Sequence, residues 1–247
     1  MRRASLLGSE RIRRKLGQLP SKPLNFDPAV LEEASPQQGW TINDLRQRLH
    51  SEPPGMPVEG GSWQVAQRLM SRYEFADPSI TRAYYDPELP LAERNMLLKL
   101  QALGVAYLLV GVRVGEVYEG SREVGGRTAH VWGWNYRTLE GHVEMGQMDW
   151  EVWKWLDDGE VEFRVHAVSR VARIPNPIVR LGFHLLRGRE RQAFLDSTLE
   201  RMRAFTELAL AGEAEPAIRG AAATLTARPD RDGETAHAAV ARSARRK

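Results

Sequence analysis

Carboxylates, imidazoles and indoles are concentrated in one stretch of this chain. Five of its seven tryptophans, Trp132, Trp134, Trp150, Trp153 and Trp155, lie among His142, Glu144, Asp149, Glu151, Arg164 and His166. A carboxylate beside an imidazole can hold or move a proton, and indole faces offer flat apolar surface to a planar molecule. Acid–base work on an apolar substrate and binding of such a molecule are therefore both open chemistries for this stretch.

What brings these residues together depends on strand register. Asp158-Gly159 between two alternating segments reads as a two-residue hairpin turn. With those residues at its centre, Trp155 faces Glu162, Trp153 faces Arg164 and Glu151 faces His166. One face of this pair is then apolar (Trp150, Val152, Phe163, Val165). The other mixes Trp153, Trp155, Glu151, Arg164 and His166. Two readings of the mixed face stand. It meets solvent, with Arg164 over Trp153 as a cation–π pair, or it lines a cavity in which Glu151 and His166 act together. The preceding run His130, Trp132, Trp134, Tyr136 and Thr138 shares one face by alternation. Its side of the sheet turns on the loop near 139–142, because one added residue moves the whole set to the opposite face.

Other constellations are sparse. His142 and Glu144, with His130 or His166, form a weak metal pattern that lacks a fixed third ligand. Ser169-Arg170 suits an anion hook or a strand exit. There is no phosphate-binding loop and no nucleophile elbow, and the glycines near 120–126 lack a strand-to-helix setting. No cofactor and no metal are expected, and no residue is assigned as catalytic.

The elements that must position these residues follow from periodicity and punctuation. Residues 106–119, 127–138, 143–156 and 160–171 read as strands, and 73–75 and 80–85 also look extended. Helices are expected over 42–49, 63–70 and 90–103. A long C-terminal helix is expected from Asn176-Pro177 to about 211, carrying Leu181, Leu185, Leu195, Leu199 and Met202, with a kink near Gly188. A helix with such a stripe must bury it, and the sheet is its only large partner. The resulting organisation is a flexible basic segment over 1–35, an extension with short helices over 36–71, a helix-grip domain over 72–211 and a disordered tail over 212–247. The fold class is α+β, a curved antiparallel sheet gripping the terminal helix.

Bulk properties narrow the function classes. The 247 residues include no cysteine, which removes disulfides, thiol catalysis and thiolate metal sites and points to a cytoplasmic location. No window approaches the ~20 apolar residues of a transmembrane helix. The sequence pI is near 9.3, yet residues 1–22 carry +6 and residues 228–247 carry +3 of a total of +3, leaving −6 on residues 23–227. An acidic body with basic ends argues against a specific nucleic-acid partner.

The segment running from Trp132 through Tyr136, Thr138, Leu139, Gly141, His142, Glu144 and Gly146, followed by Ser169-Arg170 and Asn176-Pro177, resembles the family catalogued as domain of unknown function nineteen-ninety. Arg137 replaces the glycine usual after the tyrosine. The resemblance covers about 72–205 and implies kinship with START-like (SRPBCC) helix-grip proteins, which bind lipids and other hydrophobic molecules. It implies no reaction.

The expected function is a binding module for a small hydrophobic or lipid-like molecule in a sheet–helix cavity. Its candidate lining is Trp132, Trp134, Tyr136, His142, Glu144, Trp150, Glu151, Trp153, Arg164 and His166. Two alternatives remain: an enzyme using Glu151 and His166, and an interaction module anchored by exposed Trp153 and Trp155.

Overall fold

The computed structural model describes residues 2–102, 106–174 and 177–212. Seven antiparallel strands form one curved sheet in the order β1-β7-β6-β5-β4-β3-β2. They are β1 (Thr41–Arg48), β2 (Thr81–Tyr84), β3 (Asn95–Ala102), β4 (Ala106–Val124), β5 (Arg127–Thr138), β6 (Glu144–Trp155) and β7 (Val161–Val171). Helices are α1 (Arg2–Gly17), α2 (Ser62–Ser71) and α3 (Pro177–Leu210). No described helix is long and apolar enough to cross a membrane.

Two expected helices are strands. Residues 42–49 largely form β1, paired with β7 from Thr41–Ser169 to Arg48–Glu162. Residues 95–102 form β3, held between β2 and β4. Their apolar residues fit helical spacing on paper, but pairing with neighbouring strands, on one side for the edge strand β1 and on both sides for β3, imposes the extended form, as tertiary context commonly overrides local propensity. Because β1 comes from 36–71, the sheet is not complete within 72–211. The N-terminus also differs from the loose segment expected. Ile12 and Leu16 of α1 pack with Leu19, Leu97 and Leu139 on the sheet face away from α3. Arg113 anchors the following turn by donating to the carbonyls of Leu19, Pro20 and Lys22.

The C-terminal helix grips the opposite, inner face. Leu195, Thr198, Met202 and Phe205 recur on one side of α3 and are buried. They pack with Trp134, Trp150, Phe163 and α2 into the main core. The helix runs through Gly188 without interruption. The expected cap Asn176 and the tail from residue 213 onward lie outside the described residues.

Two irregularities set which residues pair across the strands and which face they take. The β6–β7 loop holds four residues, 156–159, because Trp155 and Glu160 are the closing pair. Gly159 alone there takes a positive φ, +75°, so the two-residue turn, which needs two such residues, does not form. Partners therefore shift by two, to Trp153–Glu162, Glu151–Arg164 and Asp149–His166, while every residue keeps its face. In β4 a bulge falls between Val114 and Val117. It switches the alternation, so that Val114 faces inward and Tyr118 outward.

Candidate functional site

The inner face carries an aromatic wall. The β5–β6 loop has the parity that sets Trp132 opposite Val152, Trp134 opposite Trp150 and Tyr136 opposite Met148. Tyr73 and Phe75, from the turn after α2, press onto it. Phe75 lies 4.5 Å from the Trp150 ring, and Tyr73 lies 6.2 to 6.4 Å from Trp134, Tyr136 and Trp150. Tyr73 holds φ at +57°, the left-handed region that bulky residues avoid. Such a conformation persists where surrounding packing over-determines it. Burial raises the Tyr73 phenol well above its ordinary pKa and pushes Tyr136 to about 12, so both stay protonated donors.

The wall is apolar in area and still rich in donors. The indole N–H groups of Trp63, Trp134 and Trp150, and the Thr198 hydroxyl of α3, are buried without a hydrogen-bond partner. Trp134, Trp150 and Thr198 are each 0% exposed. An unmet buried donor costs about 1–3 kcal/mol, so several in one layer require an explanation.

A polar end adjoins the wall. Arg191 of α3 enters between β1, β6 and β7, donating to Asn43 Oδ1 at 2.8 Å and Ser169 Oγ at 2.6 Å, with Glu144 Oε1 at 3.4 Å. Thr138 Oγ1 accepts from the Gly146 amide at 2.9 Å and donates to Asn25. His142 is buried in the loop, its Nδ1 accepting from the Glu144 amide at 2.9 Å. Burial lowers its pKa to about 4 despite the nearby Glu144 charge. Thr138, His142, Glu144, Gly146 and Ser169, all quoted for the family resemblance, thus converge on the mouth of the β5–β6 hairpin and its contact with Arg191 of α3. No three His, Cys, Asp or Glu side chains among the described residues come together as a metal site.

The ten candidate residues divide between the two faces. Trp132, Trp134, Tyr136 and Trp150 form the inner wall, and His142 and Glu144 its polar end. Glu151, Trp153, Arg164 and His166 lie on the outer face. There Glu151 accepts from Tyr118 at 2.6 Å and Trp153 Nε1 at 2.7 Å, with Arg122 at 2.8 Å. His166 is exposed and lies 2.6 Å from Asp44. The Glu151–His166 pair required by the enzymatic alternative is therefore absent, because the two-residue register shift hands His166 to Asp149 and Glu151 to Arg164. Trp153 and Trp155 are only 4% and 6% exposed, capped by Arg164 (3.8 Å from the Trp153 ring) and Arg127 (4.3 Å from Trp155). That removes them as exposed interaction anchors and realises the cation–π reading.

Tyr73, Phe75, Asn43 and Arg191 were not candidates on sequence. A charged residue at 191, in the stripe continued by Leu195, Thr198 and Met202, was the available signal.

The sequence model of the family described as "Domain of unknown function (DUF1990)" matches residues 27–193. The chain belongs to this family. The DUF1990 match spans all seven strands and ends inside α3, before Leu195. No curated protein matches the chain. Among solved structures, the ginseng (Panax ginseng) major latex-like protein 151 aligns at 9% identity over 67% of this chain and 97% of its own, with a TM-score of 0.40. Ara h 8.0201 aligns at 10% identity over 66% and 98%, with a TM-score of 0.36. A Thermus thermophilus protein aligns at 10% identity over 71% and 99%, with a TM-score of 0.37.

Proposed function

We propose that this DUF1990 protein binds a small, largely apolar molecule between the inner sheet face and α3, and that the molecule presents oxygen acceptors to the wall. The observation that carries this reading is the set of unmet donors in an aromatic layer: the buried indoles of Trp134 and Trp150 and the hydroxyl of Thr198. A hydrocarbon would leave those donors unsatisfied, whereas a carbonyl or ether oxygen would meet them. Asn43, Glu144, Ser169 and Arg191 supply a polar end for a head group. A cytoplasmic location belongs to the same proposal, as the cysteine-free chain needs no oxidising compartment.

Native mass spectrometry before and after organic extraction tests the proposal. The expected result is a mass increment that extraction removes. Anilinonaphthalene sulfonate should then fluoresce with the extracted protein and lose most of that signal in a Trp134→Phe, Trp150→Phe variant. A single unmodified mass, together with dye fluorescence indifferent to both substitutions, would overturn it.

A further inference from the structure

Over β1 and the middle of the sheet, outer-face carboxylates have partners within the protein: Asp44 with His166, Glu116 with Arg137 and Glu151 with Arg122. Toward β2 the charges are cations, and they are not paired. Arg82 of β2 stands directly opposite Lys99 of β3, on the side where Leu97 and Tyr84 pack with α1. Like charges opposed across neighbouring strands destabilise the pair. Arg82 donates to the Pro78 carbonyl at 2.6 Å, and Lys99 lies 4.3 Å from the centre of the Tyr107 ring. Asp77 and Tyr84 partly offset the burial of Arg82, yet neither cation closes a salt bridge among the described residues. Burial and the Arg82 charge together lower the Lys99 pKa.

The N-terminal helix adds to this side. Ile12 and Leu16 face the sheet, so at ~100° per residue Arg14 points directly away from it, flanked by Arg11 and Arg13. All three arginines are exposed and, among the described residues, none is in a salt bridge. Glu10 is the one acidic residue of α1. Arg14 and Lys15, in the last turn, complement the helix dipole. That role does not extend to Arg11, Arg82 or Lys99.

We propose that this side of the sheet docks on an anionic membrane surface, with α1 lying along the lipid head groups and Arg82, Lys99 and Tyr107 beside it. The apolar stripe of α1 is occupied by the sheet, so the contact is electrostatic rather than inserted. A lipid surface asks for cations on one side of the molecule and no fixed geometry, and here the cations lie on a helix and a sheet face rather than along a groove. Tyr107 is 45% exposed beside Lys99, and a phenol with an apolar body and a polar tip suits the head-group level. Residues 23–227 carry a net −6, which turns this side toward a flat anionic surface and opposes a polyanion that would wrap the body. No inner-face ligand is needed for this docking.

Co-sedimentation of the full-length protein with phosphatidylcholine vesicles, with and without about 30% phosphatidylserine, at about 0.1 M salt, tests this. Binding is expected only with phosphatidylserine and should be lost at about 0.5 M salt. Each cation near an anionic leaflet is worth roughly 5-fold in partitioning. Arg11→Gln with Arg14→Gln should therefore weaken binding at least ~10-fold, and Lys99→Gln ~3–5-fold. Arg48→Gln, which removes an exposed cation from the opposite edge strand β1, should bind like the wild type. So should Trp134→Phe, Trp150→Phe, which keeps this result separate from the inner-face ligand. The proposal is overturned if phosphatidylserine makes no difference, or if Arg48→Gln loses as much as Lys99→Gln. It is also overturned if neither the α1 nor the Lys99 substitutions weaken binding, which would assign it to the basic residues 228–247. Tighter retention of a mixed-sequence RNA oligonucleotide than of the vesicles, weakened by the same substitutions, would overturn it in favour of a nucleic-acid partner.

Discussion

The two faces of this sheet are built from the same strands and solve opposite problems. The inner face is sealed by α3 and α2, and its charges are compensated within the protein. Lys154 is 0% exposed and donates to Glu52 Oε2 at 2.7 Å and to the Met56 carbonyl at 2.8 Å. Glu52 also accepts from the amides of Trp63 and Val58. The outer face is covered by α1 only over β3 and β4. Beyond that it shields Trp153 and Trp155 with arginine side chains and leaves a carboxylate row open to solvent. Aromatic residues therefore do not mark a binding surface by themselves here. Their partners do: indoles with unmet N–H groups inside, indoles under guanidinium groups outside.

The sharpest break between the faces is expected for ion pairs. Glu52→Ala strands Lys154 in the core and should cost about 3–5 kcal/mol, whereas Arg48→Ala, which removes an exposed partner of Glu160, should shift stability by less than about 0.5 kcal/mol. Urea denaturation midpoints of the two variants measure the contrast, and similar losses would erase it.

The tryptophans sharpen the same comparison. Trp150→Ala empties the centre of the inner wall and should cost about 3–5 kcal/mol. Trp153→Ala removes a ring covered on one side by the arginine side chains of Arg164 and Arg122 rather than by core, and should cost less than half of that. Equal values would mean that the outer cluster is as rigid as the core.

Acid titration should separate the faces by sign. His142 is held at about 4, below its ordinary 6.5. The unfolded chain takes up that proton first. Its contribution is thus complete above pH ~6.5 and is lost as the pH falls toward 4, by up to about 3 kcal/mol. Asp149, raised from 3.8 to about 6, behaves oppositely: its contribution is present below its unfolded pKa and is lost as the pH rises through ~6. Asp149→Asn should accordingly be near neutral in stability around pH 4 and stabilising by about 1–2 kcal/mol around pH 8, after allowance for partial exposure. His142→Asn should flatten the acid limb. Unfolding midpoints across this pH range provide the check, and parallel slopes in both variants would refute the assignment.

Much of this was legible in the chain, and the failures are specific. Alternation along β5, β6 and β7 was readable because strand side chains repeat every two residues, whatever surrounds them. Pairing across the β6–β7 loop was displaced by two residues, because Asp158-Gly159 supplies one positive φ where the tight turn needs two. Strands β1 and β3 were hidden because leucine, isoleucine and methionine at mixed spacings fit either period. For the site, Trp132, Trp134, Tyr136 and Trp150 stood among ten candidates with the face of the first three left open, and Tyr73 and Arg191 come from elements remote in sequence and carry no local mark of their destination.

By itself the sequence determined the β5–β7 meander, the C-terminal helix that must bury its stripe, and the absence of thiol chemistry, since these rest on local periodicity and composition. Only the tertiary structure decided which face each strand turns inward, that Glu151 and His166 stand apart, and that Tyr73 seals the aromatic wall. Those outcomes depend on loop lengths, a bulge and edge pairing, where a single residue inverts the side of the sheet on which a side chain stands.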